Sequence, residues 1–417
     1  MPIQLGKKQL GLSRLLLAFE VVQFRWLWAS VFFSSMSMGM RMLTQGWLVL
    51  EITDSPFWVG LVAGLQGVGV VGFGALGGAL ADRFDKRKVL AVVQFGSGSA
   101  AILIGVLALT GLIELWHIIV ASFFQGLFMA TQLPSSNSLA YEIVGPQRLL
   151  NAMAMRLAGM NITRIIGSLA AGGLIANFGI GSSYLFAGVS SFIGLSLLLS
   201  IKGNFRRVNQ REPFWRAVRQ GAMFVWSTIQ IRRLLGLSLL IEAFGFSHFV
   251  MMPVMARDVL GLDATGLGFL SASSGVGSTL GTLAVAGLGD FQKKGILLTG
   301  TALGSGVFLV MFALSPWFAL SMVLVAIVGG CLMAYDVTMG TMLQLLSGDE
   351  MRGRVLGIYG LTFGFTPVGG FFVGSVATVL TAPIAVSLGG ILVVVYVTWI
   401  TRSVSAISVV QETNASK

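Results

Sequence analysis

The 417 residues are 55% hydrophobic, only 10% charged and have a mean hydropathy of +0.87, where a soluble domain carries roughly 25% charge. Such a chain cannot clothe itself in water-compatible side chains, which excludes a soluble globular fold. The lone Cys331 excludes an intramolecular disulfide and any Cys-based metal site, and with only His117 and His248 a His-rich metal site is not expected either.

Apolar runs between charged or Pro/Gly punctuation predict twelve membrane-spanning helices, at 26–50, 58–80, 89–110, 116–136, 151–176, 181–201, 233–256, 264–289, 295–314, 317–340, 354–380 and 383–402. The first stretch is too long for a cleavable signal and lacks a small-residue cleavage site. Arg41 lies about fifteen residues into that span, near mid-membrane, where a charge costs at least ~2.5–3.5 kcal/mol. It either faces a wet cavity or snorkels, and its depth favours the cavity. Met36, Met38, Met40 and Met42 of the same span read as packing residues. In the fifth span Asn161 and Arg164 share a helix face, as a substrate contact or a packing brace, while Arg156 lies close enough to one interface to snorkel. The seventh span carries Glu242 and, further along, His248. Burial disfavours a charged carboxylate, which suits a proton carrier, whereas an ion pair with Arg41 or Arg164 would keep it ionised. Asp336, near one end of the tenth span, is a second coupling candidate. His248 reads either as a hydrogen-bonded packing residue or as a third candidate.

Of the 27 basic residues, 23 fall in segments on one side of the predicted spans, and only Arg257 falls on the other. The positive-inside rule therefore places both termini in the cytoplasm, and Trp26, Trp28, Trp58, Trp116, Trp317 and Trp399 fall near span ends as an interfacial belt would. The net charge of +11 is thus a topology signal rather than a mark of nucleic-acid binding. The basic segment 202–232 contains Pro213 and a stretch, Phe214 to Arg219, that reads as an amphipathic surface helix. It divides the chain into an N-terminal six-helix bundle (1–201), a cytoplasmic linker (202–232) and a C-terminal six-helix bundle (233–417).

The halves echo each other at an offset of 208 residues. Gly60 with Gly67-Val68-Gly69 corresponds to Gly268 with Gly275-Val276-Gly277, Arg25 to Arg233, and the charged loop around Asp82 to a weaker copy around Asp290. The first loop, Gly78-x-x-x-Asp82-Arg83-x-x-x-Arg87-Lys88, resembles the signature of the major facilitator superfamily. Gln45-Gly46-Trp47-Leu48-Val49, Thr53-Asp54-Ser55-Pro56, Pro253 to Gly261, Leu343-Gln344-Leu345-Leu346 and Arg352-Gly353-Arg354-Val355 resemble its enterobactin-exporter-like and macrolide-efflux-like members. One departure stands in the fifth span. Exporters commonly bend there at Gly-Pro-x-x-Gly-Gly, where this chain has Gly167-Ser168-Leu169-Ala170-Ala171-Gly172, which weakens the antiporter reading.

The resemblance implies an all-α membrane protein of twelve helices in two pseudo-symmetric halves. It implies a gate at the cytoplasmic face in which Gly78 and Asp82 meet the start of the eleventh span near Arg354, with Asp290 the counterpart against the fifth span. The alternative is that Asp82 merely ends a helix in solvent. Arg83, Arg87 and Glu142 would complete an ion network there. Arg41, Gln45, Asn161 and Arg164 are the substrate-cavity candidates, and Glu242, Asp336 and His248 the proton-coupling candidates.

The reading that follows is a secondary transporter rather than an enzyme: proton-coupled efflux of a small amphipathic molecule, drug-like or siderophore-like, by alternating access. A facilitator-fold importer or a lipid flippase is the alternative. No catalytic clustering of His, Cys or carboxylates supports a membrane enzyme. No cofactor beyond the proton gradient, a bacterial inner membrane and a working monomer are the remaining expectations. Two cavity arginines would favour an anionic or catecholate substrate, unless they pair with Glu242.

Overall fold

The computed structural model describes residues 17–203, 214–289 and 291–415, with side chains described throughout except at 75–83, 214–218, 349–350 and 401–415. Every regular element among the described residues is helical. The N-terminal six spans are Val22–Thr53, Pro56–Arg83, Lys86–Leu109, Leu115–Val144, Leu149–Phe178 and Ile180–Leu199. After the linker helix Phe214–Ser227, the seventh span runs Ile229–Val259 and is followed by Ala264–Gly287, Lys294–Ala313, Phe318–Leu346, Met351–Val379 and Ala382–Ile400. Eleven of these are long and apolar enough to cross a bilayer by composition alone. The twelfth, Val22–Thr53, is diluted by Arg25, Arg41, Glu51 and four serines, yet its 32 residues rise about 48 Å, more than a bilayer's core.

The tenth helix, expected to end near 340, continues to Leu346, so Asp336 has ten further helical residues after it. The fourth, expected to end near 136, continues to Val144 and takes in Pro134 and Glu142. A helix whose backbone is already hydrogen-bonded does not stop where its side chains cease to be apolar, so hydropathy marks the membrane and not the helix end.

Two spans are not regular. The seventh is interrupted by π-helical turns at Ile241–Gly245 and Met255–Val259, flanking the short α-helix His248–Val254. The eleventh is broken between Thr362 and Phe365, beside Gly364 and ahead of Pro367. A π turn inserts an extra residue into the helix and re-aims the side chains near it, a feature frequent at functional sites. Glu242 lies in the first π turn and Arg257 in the second.

The 208-residue repeat has a packing reason. Gly60 lies at the seam between the halves, where a Cβ would come within 2.6 Å of the Gly370 carbonyl, and Gly268 lies at the other seam, with a Cβ 2.9 Å from the Ser168 carbonyl. Gly69 and Gly277 do the same work inside each half: Cβ atoms there would meet the Gly126 Cα at 2.9 Å and the Ala326 carbonyl at 1.8 Å. In lipid no hydrophobic effect drives helix against helix, so close backbone approach at small residues must hold the bundle. The second span thus packs along the eleventh and the fifth along the eighth, joining two six-helix halves, while Leu150, Phe178, Val379 and Trp399 point outward.

The linker helix packs on the eleventh span, with Gly221 against Arg354 and Ile358, and leaves Met223 and Trp226 exposed.

A candidate transport cavity and its gates

The cavity and coupling candidates sit on four helices, the first, fifth, seventh and tenth spans. Gly39 in the first span packs on the backbone at Thr163 and Arg164, so Arg41 and Arg164 are rooted at similar depth on neighbouring helices. The Arg164 guanidinium lies 5.5 Å from the centroid of the Phe249 ring, a cation–π contact from the N-terminal half to the C-terminal half. Asp336 is near enough to act electrostatically on both Arg164 and Glu242. Asp336 accepts a hydrogen bond from the Tyr359 hydroxyl at 3.3 Å, and Glu242 accepts one on Oε2 from the Thr366 hydroxyl.

Glu242 is 2% exposed, and its Oε1 has no hydrogen-bond partner. It forms no ion pair with Arg41 or Arg164; the groups that act on it are the Thr366 hydroxyl and the Asp336 carboxylate. His248 is fully buried, with Nδ1 2.9 Å from the Gly245 carbonyl, its ring 4.2 Å from Phe249 and its Nε2 unpartnered. It thereby props Phe249 under Arg164. One guanidinium from the N-terminal half and two carboxylates from the C-terminal half are thus linked through Asp336, with Glu242 carried on the π turn at 241–245. Thr366, Tyr359 and Phe249 escaped the sequence reading because a lone hydroxyl or ring on an apolar helix carries no signal of its own.

Arg41 stands apart from this cluster. Its Nη1 donates to the Ser97 carbonyl at 2.9 Å and its Nε is shielded from solvent without a partner. Tyr184 is close by. Gln45 and Asn161 are half-buried, one turn along the same helix from Arg41 and three residues before Arg164, respectively. Arg156, read as a snorkelling residue, is instead 4% exposed and donates to Asn137 and Ser136, which makes it a brace between the fourth and fifth spans.

Of the residues expected at the cytoplasmic gate, Gly78, Asp82 and Arg83 lie outside the described side chains and Asp290 outside the described residues. Two of the expected network residues, Arg87 and Glu142, have partners among the described side chains. Glu142 pairs with Lys86 at 2.9 Å, and that lysine is 2% exposed, while Arg87 donates to the Ile201 carbonyl. Asp85 caps the third span by accepting from the backbone N–H of Arg87 and Lys88, which turns Lys86 inward and Arg87 toward the sixth span's end. Arg354 contacts Met351 and packs beside the linker helix.

The opposite face carries a tie that the sequence reading passed over. Arg257, at the second π turn, bridges to Asp54 and Asp258 and donates to the Leu50 carbonyl at 3.1 Å. Its signal was present: it is the one basic residue predicted on that side.

A family model described as "Transmembrane secretion effector" matches residues 16–416. The chain belongs to the major facilitator superfamily. Among curated proteins this facilitator is 26% identical to the enterobactin exporter EntS of Shigella boydii serotype 18 over 354 residues, 84% of each chain. The match to enterobactin exporter EntS of Escherichia coli O139:H28 has the same identity and coverage. Among solved structures it resembles the nucleoside transporter NupG, with a TM-score of 0.71 and 14% identity over 93% of this chain and 98% of that one. It also resembles an auto-inhibited POT family peptide transporter, with a TM-score of 0.71 and 14% identity over 93% and 96%. At that identity the likeness to solved structures concerns the fold alone. The chain is a multi-pass membrane transporter of a small molecule and not an enzyme.

Proposed function

We propose that this facilitator exports a small amphipathic molecule from the cytoplasm in exchange for protons, by alternating access between its two halves. The observation that carries the reading is the cluster of Glu242, Asp336 and Arg164, because its cation and its carboxylates belong to different halves. In general a carboxylate beside a cation keeps its charge, and one shut away from both cation and water takes up a proton. Rocking one half against the other changes the distance between them, and so converts a conformational change into proton uptake or release. Thr366 holds Glu242 in place and leaves Oε1 available for the proton.

Efflux as the direction is supported by the relatives named enterobactin exporters, which also favour a siderophore-like or drug-like cargo. The orientation proposed, with both termini and the segment 202–232 in the cytoplasm of a bacterial inner membrane, is supported by the basic bias of those segments. With the halves tied through Arg257 at the opposite face, the conformation described would be the one closed to the outside.

The test is transport in two steps. A screen comparing accumulation of amphipathic compounds in cells with and without the protein identifies a cargo. Proteoliposomes then receive that cargo under an imposed pH gradient, with internal pH followed by a trapped dye. Uphill cargo movement with opposite proton flux is the expected result. Movement that ignores the gradient would instead mark a passive flippase, and accumulation into cells an importer.

A further inference from the structure

Neither cavity arginine enters an ion pair among the described residues, but Asp336 lies within electrostatic range of Arg164 and no described carboxylate lies within that range of Arg41. Arg41 enters none of the ion pairs among the described residues, and its polar surroundings are neutral: the Ser97 carbonyl, Tyr184, and Ser37 one turn earlier on its own helix. The Ser97 hydroxyl is taken up by Gln125 at 3.4 Å, and the Ser37 Oγ is buried without a partner. A guanidinium offers five N–H donors in a planar fork. Here one is used on Ser97 and the Nε–H is shielded and unused, at a depth where an uncompensated charge is costly. Arg41 is nevertheless half-buried rather than sealed.

Resting on the transport reading above, we propose that Arg41 reads the charge of the cargo: the cargo is an organic anion, an apolar, ring-bearing body with a planar oxyanion head, and that head takes the free N–H groups of Arg41. A carboxylate or an ionised catechol supplies two oxygens in the geometry of the fork. Arg164 is not the reader, because Asp336 lies within electrostatic range of it and Phe249 covers its face. The two arginines therefore divide the work. Arg164 belongs to the proton cluster, and Arg41 belongs to the cargo.

The experiment is equilibrium binding to the purified full-length protein in detergent, with no gradient, using one radiolabelled scaffold with three heads: 1-naphthoate, 1-naphthamide and 1-naphthylmethylammonium. The native protein is expected to prefer naphthoate over both others by at least about tenfold. Arg41→Gln should remove that preference while leaving naphthamide binding unchanged, and Arg41→Lys, which keeps the charge without the fork, should retain part of it. Equal binding of the three heads by the native protein would overturn the assignment. So would an undiminished naphthoate preference in Arg41→Gln, or an equal weakening of all three probes, which would mark Arg41 as structural. Loss of proton-driven flux with the head-group preference intact would refute the coupling reading and leave this one standing. Intact coupling with no head-group preference would do the reverse.

Discussion

Arg257 reaches across the seam between the halves to the carboxylate of Asp54, 203 residues away in sequence. The contact depends on two backbone irregularities. Asp54 closes the first span in the left-handed region, at φ 48°, with its N–H on the Leu50 carbonyl, and Arg257 leaves the seventh span from a π turn. Beneath them Gly46 packs so closely on Pro253 that a Cβ would come within 2.7 Å of its ring. The tie and the glycine contact together join the two halves at that face of the protein.

Removing the tie should loosen that face without opening it fully. Asp54 is 84% exposed in its side chain, so the ion pair contributes at most about 1 kcal/mol, to which the hydrogen bond to Leu50 adds a similar amount. Arg257→Ala is therefore expected to shift the two-state balance by between several-fold and about thirtyfold. Spin labels at Phe178 and Val379, one in each half and both exposed, would report it in a Cys331→Ser background as a larger long-distance fraction. Distributions identical to the parent's would refute the tie as a gate.

Glu242→Gln keeps the hydrogen bond from Thr366 but can neither lose nor gain a proton. Uphill export driven by a pH gradient should fall to background, while cargo counterflow in liposomes, which needs no net proton movement, should persist. Export against a gradient at the parent rate would transfer the coupling role to Asp336. Thr366→Val, which frees Glu242 Oε2, should leave export measurable but displace its pH profile.

The backbone contact behind Glu242 allows no side chain. A Cβ on Gly369 would lie 1.7 Å from the Ala243 carbonyl, in the same π turn. Gly369→Ala should destabilise the protein by about 1–3 kcal/mol or more, read as a lowered Tm. Gly357, helical in the same span and with open space for 4 Å around the place a Cβ would take, is the contrast: Gly357→Ala should raise stability by about 0.4–1 kcal/mol. Equal Tm changes for both would contradict the close approach.

The proposed orientation is open to thiol labelling. In Cys331→Ser, a cysteine at Leu112, 66% exposed between the third and fourth spans, should react with an impermeant maleimide added outside intact cells. A cysteine at Lys202 should react only after the membrane is permeabilised. The opposite pattern would invert the topology.

The sequence by itself determined that the chain lives in a membrane, crosses it twelve times and is built from two like halves. Hydropathy, loop charge and repeated glycines report on solvent and on local helix contact, and these depend on composition and spacing alone. Arg41, Arg164, Glu242 and Asp336 were legible as oddities for the same reason, since a charge in an apolar run is visible without any fold. Their partners were not. Thr366 behind Glu242, Phe249 under Arg164, Lys86 beside Glu142 and Asp54 beside Arg257 each lie on another helix, more than 50 residues away in sequence. Which polar groups meet is decided by how the helices rotate and where the π turns re-aim them. That is a property of close packing at Gly60, Gly268 and Gly369, and so only the tertiary structure separates Arg164, within electrostatic range of Asp336, from Arg41, whose polar neighbours are neutral.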